Sequence, residues 1–248
     1  MLRRCGTASD LSMKVLDYRS KRTRSKKFAE ILNAVRRKIV HPQPTLVSCF
    51  STVRDSLEQW RGYGPSGGVS LKLGPSQEDE RPLWFGPDYL PLQVLYDWRP
   101  KAVLILSIIR RFETEYCIDC SVMDGNWPEN HDEEYVSYLL VLLSTKVAVF
   151  KHDSFREEAE IRIAMPYSTE NLNREYEGGL RFRVSAFGLI PYVCSGARKG
   201  FSGNLPIREI VIGPSPRQEL IAESVGSFLE HKGYPSIPVT LSKVPYRA

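Results

Sequence analysis

Apolar positions along the chain change period several times, and each period predicts an element. Phe28, Ile31, Leu32, Val35 and Ile39 recur at three- and four-residue spacing. That spacing predicts an amphipathic helix over about 26–40, ended by His41-Pro42. Thr45 to Phe50 reads as a short apolar strand, and a short helix follows with Asp55 near its start and Gly64 just past its end. The turn Pro65-Ser66-Gly67-Gly68 leads into the alternating strand Val69 to Leu73. Residues 75–91, rich in Pro, Gly and charge, read as a loop, and Leu92 to Tyr96 as a strand. Pro100 suits the first turn of a helix running to about Tyr116, after which 117–131 read as irregular. A buried helix is expected from Asp132 to about Phe150, then strands at about 159–165, 180–184 and 188–193. The clearest unit closes the chain: strand Ile207–Ile212, turn Gly213-Pro214, helix 216–232 and strand Val239–Leu241. There Ser215 is placed to cap the helix, Pro216 to begin it, Gln218 to complete a capping box and Gly233 to stop it.

This mixed order predicts an α+β fold, one domain with a mixed sheet flanked by helices, rather than a doubly wound sheet. There is no internal repeat or low-complexity linker. The division that composition suggests is a basic helical arm at 1–44 followed by an α+β domain at 45–248. The chain is 42% hydrophobic and 25% charged, ordinary for a globular protein and far from the disordered class. Its most apolar run, Tyr135 to Phe150, is 16 residues long and contains Lys146, short for a bilayer span. With no signal-like segment at the front and five scattered cysteines, the expectation is a cytoplasmic, soluble protein with free thiols and no membrane partner.

Charge changes that picture in one place. Residues 1–40 hold 12 Lys or Arg against three acids, although the whole chain is only +5. A basic N-terminal helix on a mildly acidic body is a candidate surface for nucleic acid. The same residues also fit a solvated helix face beside an acidic neighbour. No aromatics alternate with them, which weakens a single-strand-binding reading.

Candidate chemistry gathers in two segments. In Glu158-Ala159-Glu160-Ile161-Arg162-Ile163, strand alternation would put Glu158, Glu160 and Arg162 on one face. Two carboxylates about 7 Å apart on such a face suit a ligand with several hydroxyls, or a base with a raised pKa. A half-buried strand with a wet, salt-bridged polar face fits the pattern as well. The second segment joins Ser48 to Thr52 with Trp60-Arg61-Gly62-Tyr63-Gly64. Hydroxyls near a Trp/Arg/Tyr cluster suit a small-molecule nucleotide, with Arg for phosphate and a ring for stacking. Equally, Trp60 and Tyr63 fit core positions, and Ser51 or Thr52 a helix cap.

Three motifs resemble sites by letters alone. Gly62-x-Gly64-x-x-Gly67 follows a helix and precedes a strand, the reverse of a dinucleotide fingerprint. Cys117-x-x-Cys120 has no second pair, and the four histidines form no ligand spacing. Gly213-Pro214-Ser215-Pro216 at a helix start reads as a cap.

Taken in order, the pieces resemble a bacterial domain family of unknown function, the one numbered twenty-nine seventy-one. Phe50-Ser51, Asp55-x-Leu57-x-x-Trp60-x-x-Tyr63, Gly67-Gly68-Val69, Lys151, Phe155, Glu158-x-Glu160-x-Arg162, Ile207 to Pro214 and Ser242-x-Val244-Pro245-Tyr246-Arg247 carry the likeness, over about 45–247. The family's first aromatic-His-Tyr strand has no counterpart here, so a chain short at its front is expected. The order of a Ser strand and a later E-x-E strand is also similar to ADP-ribosyltransferases. That similarity implies NAD as substrate, Glu160 as catalytic carboxylate, Glu158 positioning an acceptor, Ser51 supporting Glu160, and Trp60, Arg61, Tyr63 and Arg162 around the nucleotide. It implies an NAD-cleaving or ADP-ribosyl-transferring toxin or anti-phage effector. A non-catalytic nucleotide- or nucleic-acid-binding module is the alternative, as is a truncated relative acting only through contacts with a protein partner that the residues do not identify.

Overall fold

The computed structural model describes residues 8–40, 44–64, 67–74, 91–124, 126, 128–186, 188–200, 205–234 and 237–246. The predicted helix stop at His41-Pro42, the loop at 75–90 and Arg247 of the terminal motif lie outside them. The fold is α+β, with small mixed sheets and flanking helices. The chain divides into two compact units, each drawn from separated stretches: 1–49, 91–156 and 161–171 in the first, and 50–90, 157–160 and 172–248 in the second.

The first unit is mainly helical. Helices α1 (Ala8–Ser20), α2 (Lys26–Lys38), α4 (Trp98–Met123) and α5 (His131–Val147) bury their apolar stripes against one another; the short helix α3 (Leu57–Tyr63) belongs to the second unit. Phe28, Leu32, Ile109, Leu139 and Leu143 are sealed from solvent, and Phe28 lies against Tyr116 with ring centroids 5.6 Å apart. Helix α2 begins at Ser25, whose Oγ accepts from Phe28 N at 3.2 Å, as a cap should. A three-stranded sheet, ordered β1 (Thr45–Ser51), β4 (Glu160–Pro166), β3 (Leu92–Gln93), accompanies these helices. The unit boundary falls inside β1, after Cys49, and at the start of β4, before Ile161.

Two helical assignments depart from the periodicity. Helix α4 continues through Cys117 and Cys120 to Met123 and stops where Asp124 turns left-handed at φ 44°. Contacts with α5 hold this stretch in place: Tyr116 Oη donates to Asp132 at 2.9 Å, and Asp119 accepts from Tyr135 Oη at 2.5 Å. Helix α1 was not legible as a helix, yet Leu11, Val15 and Leu16 are buried. The basic N-terminal stretch is therefore packed into a core along one side.

In the second unit β2 (Val69–Leu73) runs antiparallel to β7 (Ile207–Ile212), with Val69 opposite Ile212 and Leu71 opposite Ile210. Strand β8 (Val239–Leu241) adds parallel to β7, which requires a crossover; helix α7 (Gln218–His231) supplies it. Ile221, Ala222, Val225 and Leu229 of α7 pack on Ile210 and Ile212. A hairpin, β5 (Arg181–Ser185) and β6 (Gly188–Tyr192), and the short helix α3 (Leu57–Tyr63) belong to this unit, while α6 (Thr169–Glu175) straddles the boundary. Helix α7 starts two residues later than the capping box predicted. Ser215 Oγ accepts from Arg217 N at 3.2 Å inside the turn, and Gln218 Nε2 reaches back to Ile212 O and Gly213 O at 3.3 and 3.1 Å. These carbonyls at the end of β7 hold the Gln side chain that would otherwise box the helix.

Candidate functional site

The E-x-E segment does not run as one strand. Glu158 ends a 3-10 segment, Asp153–Glu158, Ala159 is left-handed at φ 43°, and the strand begins only at Glu160. Alternation of faces requires extended backbone throughout, so the expectation that Glu158, Glu160 and Arg162 share one face is overturned. Glu160 is 4% exposed, whereas Glu158 is half-buried. Arg162 belongs to the first unit, where its guanidinium donates to Ala148 O at 2.5 Å.

The left-handed corner is clamped from β1 and α3. Ser51 Oγ donates to Glu158 O at 2.8 Å and accepts from Val53 N at 3.0 Å. Thr52 donates to Ala159 O through both its backbone N, at 3.1 Å, and its Oγ1, at 3.2 Å. Gln59 Nε2 also donates to Glu158 O, at 3.2 Å. A non-glycine residue in this region costs about 1–2 kcal/mol, and four hydrogen bonds to two consecutive carbonyls offset that cost. Tyr63, 74% exposed, completes the corner with its hydroxyl 3.3 Å from Glu158 Oε2. Ser51, Tyr63 and Glu158 thus converge as the second unit's polar corner. Arg61 sits exposed on the same helix, α3. The hydroxyl of Ser51 is directed to the Glu158 carbonyl.

Trp60 takes no part in that corner. It is 8% exposed and its Nε1 donates to Asp55 Oδ1 at 2.6 Å. Its six-membered ring lies so close to the Gly213 backbone that a Cβ there would stand 2.8 Å from Cε3. The Trp60 ring is therefore a core anchor and presents no face for stacking, which corrects the cleft expected from sequence. Asp55 also accepts from Ser242 Oγ at 2.6 Å and from Lys243 N at 2.8 Å. Burial alone would raise the Asp55 carboxyl, but the bonds from Ser242, Trp60 and Lys243 outweigh it and hold the group below its ordinary value. Nearby, Arg54 forks onto both oxygens of Glu209, and Thr240 Oγ1 donates to Glu209 Oε1 at 2.8 Å. Those contacts lower Glu209 to about 2. Sequence reasoning passed over Asp55 and Ser242 as partners. Their one signal is position: Asp55 opens the segment that carries Trp60 and Tyr63, and Ser242 opens the terminal Ser-Lys-Val-Pro-Tyr segment.

The first unit offers a second surface, on α2. Its buried stripe leaves Lys26, Lys27, Arg37 and Lys38 exposed on the other side, with Arg24 and Arg22 just ahead of it. Between Lys21 and Lys38 the one exposed acid among the described residues is Glu30. Part of the charge is balanced: Asp17 takes Lys21 at 2.6 Å and Arg36 at 2.8 Å, and Glu113 takes Arg19. The bond from Lys21 leads the causes that lower Asp17 below the ordinary carboxylate range. The Arg22 guanidinium lies 3.9 Å from the Tyr18 ring centre, a stacking geometry.

Among the described residues no cluster of three or more His, Cys, Asp or Glu is arranged to hold a metal ion, and no helix is long and apolar enough to cross a membrane. Among the described residues, Cys49, Cys117, Cys120 and Cys194 form no disulfide. In comparisons with known proteins, no family model, curated protein or solved structure matches this chain.

Proposed function

We propose that this protein is a nucleic-acid-binding module that acts through the cationic face of α2. The observation that carries the reading is the exposed, almost acid-free charge from Lys21 to Lys38 on a helix whose other side is locked in a core. A helix fixed by its buried stripe holds these cations as a rigid row of two clusters, Lys26 with Lys27 and Arg37 with Lys38, with Glu30 between them. Lys26 to Lys38 spans about 18 Å at 1.5 Å per residue. Such a row neutralises phosphates and releases condensed counterions, so binding weakens steeply with salt. Labelled duplex DNA and RNA, titrated with the full chain by fluorescence anisotropy, test it. The expected result is micromolar binding whose logarithm falls with log salt at a slope of about −3 to −4 for four contacts. Lys26→Glu with Arg37→Glu should lower affinity about tenfold or more while the circular dichroism spectrum is kept. Binding that is absent at low salt, or indifferent to that double substitution, refutes the reading.

A second reading is NAD-dependent ADP-ribosyl transfer or NAD cleavage at the second unit's polar corner, supported by the convergence of Ser51, Tyr63 and Glu158. In that chemistry the bond from ribose C1 to nicotinamide breaks, and water or an acceptor takes the ADP-ribosyl group. A carboxylate beside the developing cation would stabilise it. Arg61 is exposed at this corner and Glu158 half-buried, and Glu160 would act from a buried position. Nicotinamide release that falls about a hundredfold on Glu158→Gln or Glu160→Gln, with the fold retained, supports it. No NAD binding by calorimetry removes it.

A further inference from the structure

Helix α7 is apolar on two sides, and the sheet accounts for only one of them. Ile221, Ala222, Val225 and Leu229 face Ile210 and Ile212. Leu220 and Phe228 point outward, 57% and 58% exposed. They are eight residues apart with Ser224 midway, so they form one stripe about 12 Å long with a low point at its centre. Tyr246, 45% exposed, lines the same surface from the C-terminal segment. Together these residues line an open groove of about 660 Å³ that includes Arg217 at its head.

Charge decides what the groove fits. Arg217 stands at the N-terminal end of the stripe, where the helix itself carries partial positive charge. At the other end Lys232 Nζ lies 5.8 Å from the Phe228 ring centre. Viewed down the helix, Arg217 falls within about 20° of Ser224 at 100° per residue, on the stripe itself. The acids Glu219, Glu223 and Glu230 lie about 100–140° round from Ser224, all to one side, with Glu223 about 60° from Leu220. A cation therefore closes each end of an apolar trough, and the acids of the helix lie along one side of it only.

We propose that this groove docks a short amphipathic protein segment with apolar anchors about two helical turns apart and acidic residues flanking them. Two anchors would seat beside Leu220 and Phe228 on either side of the small Ser224, a helix-in-groove mode. The flanking carboxylates would meet Arg217 and Lys232. A second copy of the chain fits less well, because α7 laid antiparallel on itself about Ser224 brings Arg217 opposite His231 and next to Lys232, cation against cation. The surface is distinct from the α2 face and from the Ser51–Glu158 corner.

The test is selection of a random peptide library on the full chain, counter-selected on Leu220→Glu, whose exposed position leaves the fold intact. Selected peptides should share two apolar positions seven or eight residues apart with Asp or Glu outside them. The strongest should lose about tenfold or more in affinity on Leu220→Glu or Phe228→Glu. The charge-reversed pair Arg217→Glu and Lys232→Glu should select basic flanks instead. Three results overturn the proposal: no common pattern, an acidic preference that survives the charge reversal, or a concentration-dependent dimer in sedimentation that Leu220→Glu dissolves.

Discussion

Asp55→Asn keeps the shape of the side chain and removes the charge at the point where the start of α3 meets the C-terminal segment. The carboxylate accepts from Trp60 Nε1 and Ser242 Oγ, both at 2.6 Å, and from Lys243 N at 2.8 Å. Hydrogen bonds to a charged acceptor contribute about 1.5–3 kcal/mol each and neutral ones about 0.5–1.5. Asn retains one oxygen, which still serves Trp60 and Ser242, and each of those bonds loses about 1 kcal/mol. Its amide then faces Lys243 N–H, donor against donor, at a cost of about 1–2 kcal/mol. The total is about 3 kcal/mol. Trp60 and Ser242 are each only 8% exposed, so water cannot replace the lost partners. The measurement is guanidinium denaturation followed by tryptophan fluorescence, with hydrogen exchange of the β7 and β8 amides as the local probe. Ser242→Ala combined with Asp55→Asn should cost less than the two singles added, because they share one bond. If Asp55→Asn lies within about 0.5 kcal/mol of the unsubstituted protein, the Asp55 knot does not hold the C-terminal segment to α3.

Two further outcomes follow from strain and from titration. Ala159→Gly removes a left-handed Cβ at φ 43° and should stabilise the protein by about 0.5–1 kcal/mol after the added unfolded-state entropy; an unchanged or lower urea midpoint would count against the clamped corner. Glu209, held at about 2 by Arg54 and Thr240 against an ordinary value of 4.5, binds its proton more readily when unfolded. Its contribution is therefore complete above about pH 4.5 and vanishes as pH falls toward 2, so acid unfolding profiles of Glu209→Gln and the unsubstituted chain should converge at the low end and separate above it.

The elements with long, regular apolar periods were legible from sequence. Phe28, Ile31, Leu32 and Val35 announced α2, and the strand–turn–helix–strand pattern announced β7, α7 and β8, because apolar residues recur there at a regular period. The α+β class followed from their order. The basic charge was legible as composition, but tertiary packing decided that one side of α2 sits in a core, and so gave the row of cations a fixed direction. Trp60 looked like a ligand platform because its spacing from Tyr63 fits both a cleft and a core; the approach of Gly213 and the acceptor on Asp55 settled it as core. Alternation predicted a shared face for Glu158 and Glu160. A single left-handed residue between them broke it, held by hydroxyls 107 residues earlier in the chain. Local pattern specifies what a segment prefers in isolation, at tenths of a kcal/mol per residue. Several hydrogen bonds from a distant strand outweigh such preferences, so the geometry of the corner belongs to the tertiary structure alone.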